Sequence, residues 1–243
     1  MATKITEKVT INAAGSDVVF DGVDFTLNGY IEVLSAASVT LKNCRIYGLN
    51  VPAKKNYWLK VLNDIPVKII VEHCFFGEQS VSGNAVYNLL ELNAELLTGS
   101  SMSYNYLKET AASHSSFNIY GITEGATVQL NGNVNECMTP QVRVGIKGDK
   151  GGMIQMHDNS IVAVNPEYDG ELADWYGLVC IQPYGKKTTT MSRLVVETAD
   201  TQLPEGQTQV AYGYSGNSDT LLDESTAPTV IVDGTQIELP IFH

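Results

Sequence analysis

Apolar and polar residues alternate with a period of two along most of the chain, in short runs separated by clusters of Gly, Asn, Asp and Ser. This alternation is typical of β-strands, because successive side chains of a strand point to opposite faces. No stretch keeps a helical apolar period over several turns. The segment 86–97 contains residues that favour a helix, but its place in the repeat described next predicts a strand. The pattern therefore predicts an all-β fold.

A motif of six residues recurs along the chain. Its first, fourth and sixth positions are apolar, its third position is a turn residue, and its second and fifth positions hold any residue. Its copies begin at Phe20, Leu41, Val71, Gly99, Leu130, Met156, Met191 and Val232. The distance between starting residues ranges from 21 to 41 residues, and another apolar strand precedes each copy from Leu41 onward. Such a recurrence predicts stacked repeats in which each strand pairs in parallel with its equivalent one repeat later.

The third position of each copy is the predicted corner between two strands. These positions hold Gly22, Asn43, His73, Ser101, Gly132, Asp158, Arg193 and Gly234. Glycine adopts a positive φ without steric penalty, and Asn, Asp and His are the other residues most often found there. Ser101 and Arg193 depart from this rule. We therefore assign structural corners to Gly22, Asn43, His73, Gly132 and Asp158.

With its strands and corners in phase, the sequence resembles the right-handed parallel β-helix proteins, in which an Asn-type residue often stacks at the corner. The resemblance covers roughly residues 17–215 and concerns architecture alone. It implies one domain over residues 1–243, a single-stranded right-handed parallel β-helix of about 7–8 coils. Residues 1–16 and 215–243 are the expected amino-terminal and carboxy-terminal caps. A β-sandwich or jelly roll is the alternative, because short strands with regular turns suit it too.

Charge and chemistry narrow the range of functions. The formal net charge of -12 makes nucleic acid and membranes poor candidates for partners. The four cysteines show no metal-ligand spacing, and we expect reduced core thiols, with Cys44 and Cys74 stacked in one column. The expected outward positions Glu32, Lys60, Asn88, Asn118 and Arg143 are mixed and form no acidic cluster. We predict no catalytic residue, no metal and no cofactor.

Long insertions occur at one position of the repeat, after the strand that follows the corner. They should therefore line one edge of the stack, which is commonly the edge that contacts partners. The longest, residues 163–175, contains Tyr168, Asp169, Asp174 and Trp175, and aromatics in a polar loop suit protein or sugar contact. The apolar tail with Ile241 and Phe242 is expected to dock onto this chain or onto a neighbour. These six residues are the candidate interaction site.

Together these traits resemble virion proteins of tailed bacteriophages, which decorate the capsid or form fibres. The resemblance implies a non-enzymatic structural protein on the virion exterior, in contact with the major capsid protein or with further copies of itself. The first residues contain no secretory signal, which predicts synthesis in the host cytoplasm. Two other classes remain open: a carbohydrate-active β-helix enzyme of the polysaccharide lyase or hydrolase kind, and a glycan-binding adhesin module.

Overall fold

The computed structural model describes residues 2–49, 57–77, 88–108, 115–136, 142–146, 151–161, 177–183, 192–203, 208–213, 227–238 and 241–242. Throughout these ranges the chain forms strands, turns and bends, so the protein is all-β. In this part of the chain there is no helix that could cross a bilayer. The predicted strand in segment 86–97 is confirmed, because Asn88–Leu96 is a strand.

The strands form two sheets. The smaller sheet contains seven strands, β1 (Thr3–Ile5), β3 (Val23–Leu27), β5 (Arg45–Leu49), β7 (Phe75–Phe76), β10 (Tyr106–Lys108), β13 (Val134–Glu136) and β16 (Ser160–Ile161). The larger sheet contains fifteen strands, β2 (Val9–Asp21), β4 (Ile31–Lys42), β6 (Tyr57–Glu72), β8 (Asn88–Leu96), β9 (Ser101–Ser103), β11 (Ser115–Ile119), β12 (Thr127–Gln129), β14 (Val142–Ile146), β15 (Met153–His157), β17 (Gly177–Pro183), β18 (Val195–Ala199), β19 (Thr208–Gly213), β20 (Thr229–Val232), β21 (Thr235–Ile237) and β22 (Ile241–Phe242).

Apart from one hairpin, the neighbouring strands that the structure describes pair in parallel in both sheets, each with its equivalent in the next repeat. In the smaller sheet β1 pairs with β3, β3 with β5, and so on to β16. Among the described strands the one antiparallel pair is the β20–β21 hairpin, so the larger sheet is mixed. This pairing differs from that of a β-sandwich, whose sheets are antiparallel.

The larger sheet continues in two directions from the long strand β6. The first part of β6 pairs with β8, and its last residues pair with β9. Asn63 and Asp64 lie within the part that pairs with β8, with φ values of 74° and 50°, where the register with β8 shifts. From β8 the sheet runs to β22, and from β9 it runs to β21.

The core consists of columns of apolar side chains from equivalent positions of successive repeats. One column in the smaller sheet contains Phe25, Ile46, Phe76 and Leu107, all fully buried. The Trp58 ring packs edge-on against Phe25 and Phe76, with ring centroids 5.3 and 5.4 Å away. Columns of this kind make one continuous core along the stack of repeats.

Each corner joins a strand of the larger sheet to one of the smaller sheet. The assigned corners have φ values of 64° at Gly22, 52° at Asn43, 54° at His73, 63° at Gly132 and 57° at Asp158. Backbone bonds connect neighbouring repeats here: the Asn43 N–H donates to the Glu72 carbonyl, and the His73 N–H to the Ser103 carbonyl.

Two other predicted corners were wrong. The fourth lies at Tyr104, with φ 58°, and not at Ser101, which lies within β9. The seventh lies at Asp200, with φ 52°, and not at Arg193. In the last repeat both Asp233 and Gly234 have positive φ, 47° and 77°, as the β20–β21 turn requires.

The predicted caps contain strands. Within residues 1–16 lie β1 and the first part of β2, which pair with β3 and β4. Of residues 215–243 the structure describes 227–238 and 241–242, which form the β20–β21 hairpin and β22.

Candidate interaction surface

A column of buried asparagines lies one residue after three successive corners. Asn105, Asn133 and Asn159 are each at most 1% exposed. The Oδ1 of Asn159 accepts from the Asn133 N–H at 2.9 Å, the Oδ1 of Asn133 from the Asn105 N–H at 3.0 Å, and the Oδ1 of Asn105 from the Cys74 N–H at 3.0 Å. Each amide thus ties its repeat to the preceding one, which fixes the register of the corners.

The amide groups of this column also donate to carbonyls of the preceding repeat. The bonds are Asn105 Nδ2 to Val71 O at 2.9 Å, Asn133 Nδ2 to Met102 O at 2.8 Å, and Asn159 Nδ2 to Leu130 O at 2.7 Å. Since both ends of each of these three side chains are bonded, the buried amides of the column are satisfied and stabilise the stack.

Cys44 and Cys74 continue the column into the earlier repeats. Both are buried free thiols. The Cys74 Sγ lies 3.5 Å from the Leu41 carbonyl and the Cys44 Sγ 3.6 Å from the Phe20 carbonyl, positions equivalent to those that the asparagine Nδ2 groups contact. The hydrogen bond with the Cys44 thiol and burial together raise the pKa of Cys74, so this thiol stays protonated.

A row of charged side chains crosses the outer face of β4, β6, β8 and β11. Glu32, Lys60, Glu91 and Asn118 are in register on these successive strands. Lys60 Nζ lies 2.5 Å from Glu91 Oε1, and Glu32 pairs with Lys8. The predicted position of Asn88 in this row is wrong by three residues, because Lys60 pairs with Glu91.

Tyr57 lies beside this charged row. Its hydroxyl donates to Glu32 Oε1 at 2.6 Å, and its ring faces Lys60 Nζ at 5.1 Å. Both Tyr57 and Glu32 are 5% exposed. Burial, followed by the hydrogen bond to Glu32, raises the pKa of the Tyr57 phenol above its ordinary value. The row is therefore a set of mutually paired groups held at low exposure.

Aromatic rings stack on the outer side of two corners. The rings of His73 and Tyr104 are nearly parallel, 10° apart, with centroids separated by 5.3 Å. On neighbouring strands Phe75 and Tyr106 also stack, and the Tyr106 hydroxyl donates to Glu136 Oε1 at 2.6 Å. Tyr104 is 56% exposed, which makes it one of the large apolar side chains that this surface presents.

A surface depression of about 440 Å³ lies where Arg193 was expected to form a corner. Arg193 instead pairs with Glu124, and Gly151 and Gly152 are among the residues that line the depression. A Cβ at Gly151 would lie 2.1 Å from the Arg193 carbonyl oxygen, so the close backbone approach requires glycine. Within the described ranges no three His, Cys, Asp or Glu residues come together as a metal site.

The first repeat leaves one edge open. Among the described strands β1 pairs with β3 alone and β2 with β4 alone. Val9, Val18 and Phe20 of β2 are part-buried against the core, whereas their partners Ile31, Val39 and Leu41 in β4 are fully buried. We call the outer edges of β1 and β2 the amino-terminal edge. Its unpaired backbone groups and half-covered apolar residues can accept another strand.

The predicted interaction residues fall partly outside the described ranges. Tyr168, Asp169, Asp174 and Trp175 all lie there. Ile241 and Phe242 form β22, which pairs in parallel with β19 through Tyr212 and Gly213. The tail thus docks onto its own chain. The amino-terminal edge and the asparagine column were missed, although Asn105, Asn133 and Asn159 each directly follow a corner in the sequence.

Comparisons with protein-family models, with curated proteins and with solved structures found no match for this chain.

Proposed function

We propose that this protein is a right-handed parallel β-helix and a non-enzymatic structural component of a tailed-bacteriophage virion. It acts through protein–protein contacts on the particle exterior, as a capsid decoration or fibre-associated protein. Supporting the architecture are the parallel pairing of equivalent strands and the columns of like side chains through successive repeats. The acidic surface suits a place away from packaged DNA.

The observation that carries the proposal is the amino-terminal edge. An open edge with half-covered apolar residues such as Val18 and Phe20 makes an isolated chain prone to aggregate. In a chain that functions in an assembly, the same edge provides a contact surface. The charged groups of the outer face fit this role as well. Glu32, Lys60 and Glu91 pair with neighbours of their own chain, so they stabilise the stack.

Composition analysis of purified particles tests the proposal. Particles released from cells that make this chain are banded by density, washed, and analysed by quantitative mass spectrometry. We expect the chain in multiple copies per particle, and density for it on the outer surface in a particle reconstruction. Its absence from washed particles that contain the other virion proteins would refute the virion function.

A carbohydrate-active enzyme is the second candidate, because Glu32, Lys60 and Glu91 lie on consecutive strands of one face. Glycoside cleavage needs two carboxylates that flank the scissile bond, and Glu32 and Glu91 lie two strands apart, on either side of Lys60. New reducing ends or unsaturated sugars after incubation with acidic and neutral polysaccharides, lost in Glu91→Gln, would support this candidate. Unchanged polysaccharide with the wild-type chain would count against it.

A further inference from the structure

We propose that the amino-terminal edge is the interface of a symmetric dimer, in which β2 of one copy pairs antiparallel with β2 of a second copy. This inference rests on the proposed structural function and names the partner of its open edge. It follows from the shape, the hydrogen-bonding direction and the charge of β2.

The shape of β2 is self-complementary. The strand has two arms, Val9–Ala13 and Asp17–Asp21, that pair with different parts of β4, and Gly15, with φ 73°, lies at the bend between them. The arms have equal length. A two-fold axis through the bend therefore lays the first arm of each copy along the second arm of the other.

Backbone groups of both arms point to the open side. The Val9 N–H donates to Tyr30 O at 2.8 Å, and the Gly22 N–H donates to Lys42 O at 3.0 Å, so both point toward β4. Successive residues of a strand present their N–H groups to opposite edges. Thr10 and Val19 accordingly direct theirs away from β4. Placing Thr10 of one copy opposite Val19 of the other forms a hydrogen-bonded antiparallel pair.

The same register matches the core-facing side chains. With Thr10 opposite Val19, Val9 lies opposite Phe20 and Ile11 opposite Val18, all on the core side. A shift by one residue would turn one set of side chains to solvent, which the half-covered apolar groups disfavour. The second copy thus covers the residues that the first repeat leaves part-exposed.

Charge selects this register over shifts by two residues. Lys8 lies opposite Asp21 of the other copy, and the Asn12 amide lies opposite the Asp17 carboxylate. A shift by two places Lys8 opposite Val19, or Thr10 opposite Asp21, and loses the opposite-charge pair.

Sedimentation velocity of the full chain over a wide concentration range tests the dimer. We expect the wild-type chain to dimerise, with a dissociation constant at least about tenfold higher in two variants. Asp21→Lys places a lysine opposite Lys8 of the other copy, and Thr10→Pro removes an N–H that points to the open side. Glu238→Lys makes the same charge change at an exposed position beyond β21 and should leave dimerisation unchanged. Circular dichroism of each variant verifies folding, and Asp21→Lys suffices if Thr10→Pro does not fold.

Amide hydrogen exchange supplies an independent readout. Exchange at Thr10 and Val19 should slow as the wild-type concentration rises, whereas exchange at the paired residues Val9 and Gly22 should not change. A wild-type chain that stays monomeric, or a dimer equally stable in Asp21→Lys and Thr10→Pro, would overturn the inference. Either result leaves the virion function intact, since that function is judged by the presence of the chain in washed particles.

Discussion

The backbone of Gly132 lies against the ring of Tyr104 in the preceding repeat. A Cβ built on Gly132 would be 2.5 Å from Cδ1 and 2.7 Å from Cε1 of that ring. Both residues are corners with positive φ, and the other side of the Tyr104 ring stacks on His73. The ring is therefore held between two corners, and glycine at 132 is favoured by its positive φ and required by the space that the ring occupies.

Gly132→Ala should lower the free energy of unfolding by more than the cost of a left-handed alanine alone, which is about 1–2 kcal/mol. Gly22→Ala is the matched control, because Gly22 has nearly the same φ and nothing within 4 Å of its Cβ position. Urea unfolding measures both. The additional loss of unfolding free energy at Gly132 should disappear when Tyr104 is also replaced by alanine. Equal losses in Gly22→Ala and Gly132→Ala would show that the Tyr104 ring moves aside without cost.

Asn133→Ala should destabilise the protein by about 3 kcal/mol or more, because it leaves buried donors and a buried acceptor of the preceding repeat without partners. The Asn105 N–H and side-chain amide lose their shared acceptor, and the Met102 carbonyl loses its donor. Asn131→Ala, a part-buried neighbour whose Oδ1 accepts from the His157 N–H, should cost about 1 kcal/mol. Similar losses in the two variants, measured by urea unfolding, would contradict the role of the column.

Cys74→Asn should raise the free energy of unfolding by about 1 kcal/mol. An asparagine there can donate to the Leu41 carbonyl, as Cys74 Sγ does, and can offer the Cys44 N–H the acceptor that Asn105 offers Cys74. Cys74→Ala, which offers neither group, is expected to destabilise by about 1 kcal/mol. Thermal and urea unfolding of both variants measure the difference. An asparagine variant no better than the alanine variant would mean that the column does not extend to this repeat.

Tyr57→Phe should make the protein less sensitive to alkali. The folded pKa of Tyr57 is raised above the unfolded value of 10.0, so the protonated phenol stabilises the fold fully below pH 10. Above pH 10 the unfolded chain ionises first, and this stability falls by about 1.4 kcal/mol per pH unit. Urea unfolding between pH 9 and about pH 11.5 should therefore show a steeper decline in wild type than in Tyr57→Phe. If the unfolding free energies of wild type and Tyr57→Phe decline equally with pH, the Tyr57 phenol is exposed to water and its pKa is not raised by the fold.

The sequence predicts the strands and most corners because both follow from local rules. Period-two alternation gives the strands, and Gly22, Asn43 and Asp158 are residues that tolerate positive φ. Tyr104 has no such propensity. Its conformation is maintained by the stack on His73 and by the space above Gly132, which are contacts between repeats that no local pattern contains.

Register errors explain what was missed at the surface. Lys60 follows Glu32 by 28 residues and Glu91 follows Lys60 by 31, so a constant repeat length predicts Asn88 in the charged row in place of Glu91. With Asn88 in place of Glu91, the predicted row lacks the alternating charges of Glu32, Lys60 and Glu91. The fourth corner was placed three residues early for a similar reason, which hid Asn105 as the start of the amide column.

The amide column bears on how a protein of this kind can grow longer. Asn105 and Asn133 are 28 residues apart and make equivalent bonds, so a tandem duplication of residues 105–132 would give the added layer its own donor and acceptor. A duplicated thiol layer would lack this acceptor, since a cysteine has no side-chain carbonyl oxygen to accept the N–H of the preceding repeat, as Asn105 Oδ1 accepts the Cys74 N–H. Lengthening by gene duplication should therefore be tolerated in the asparagine half of the molecule and resisted in the cysteine half.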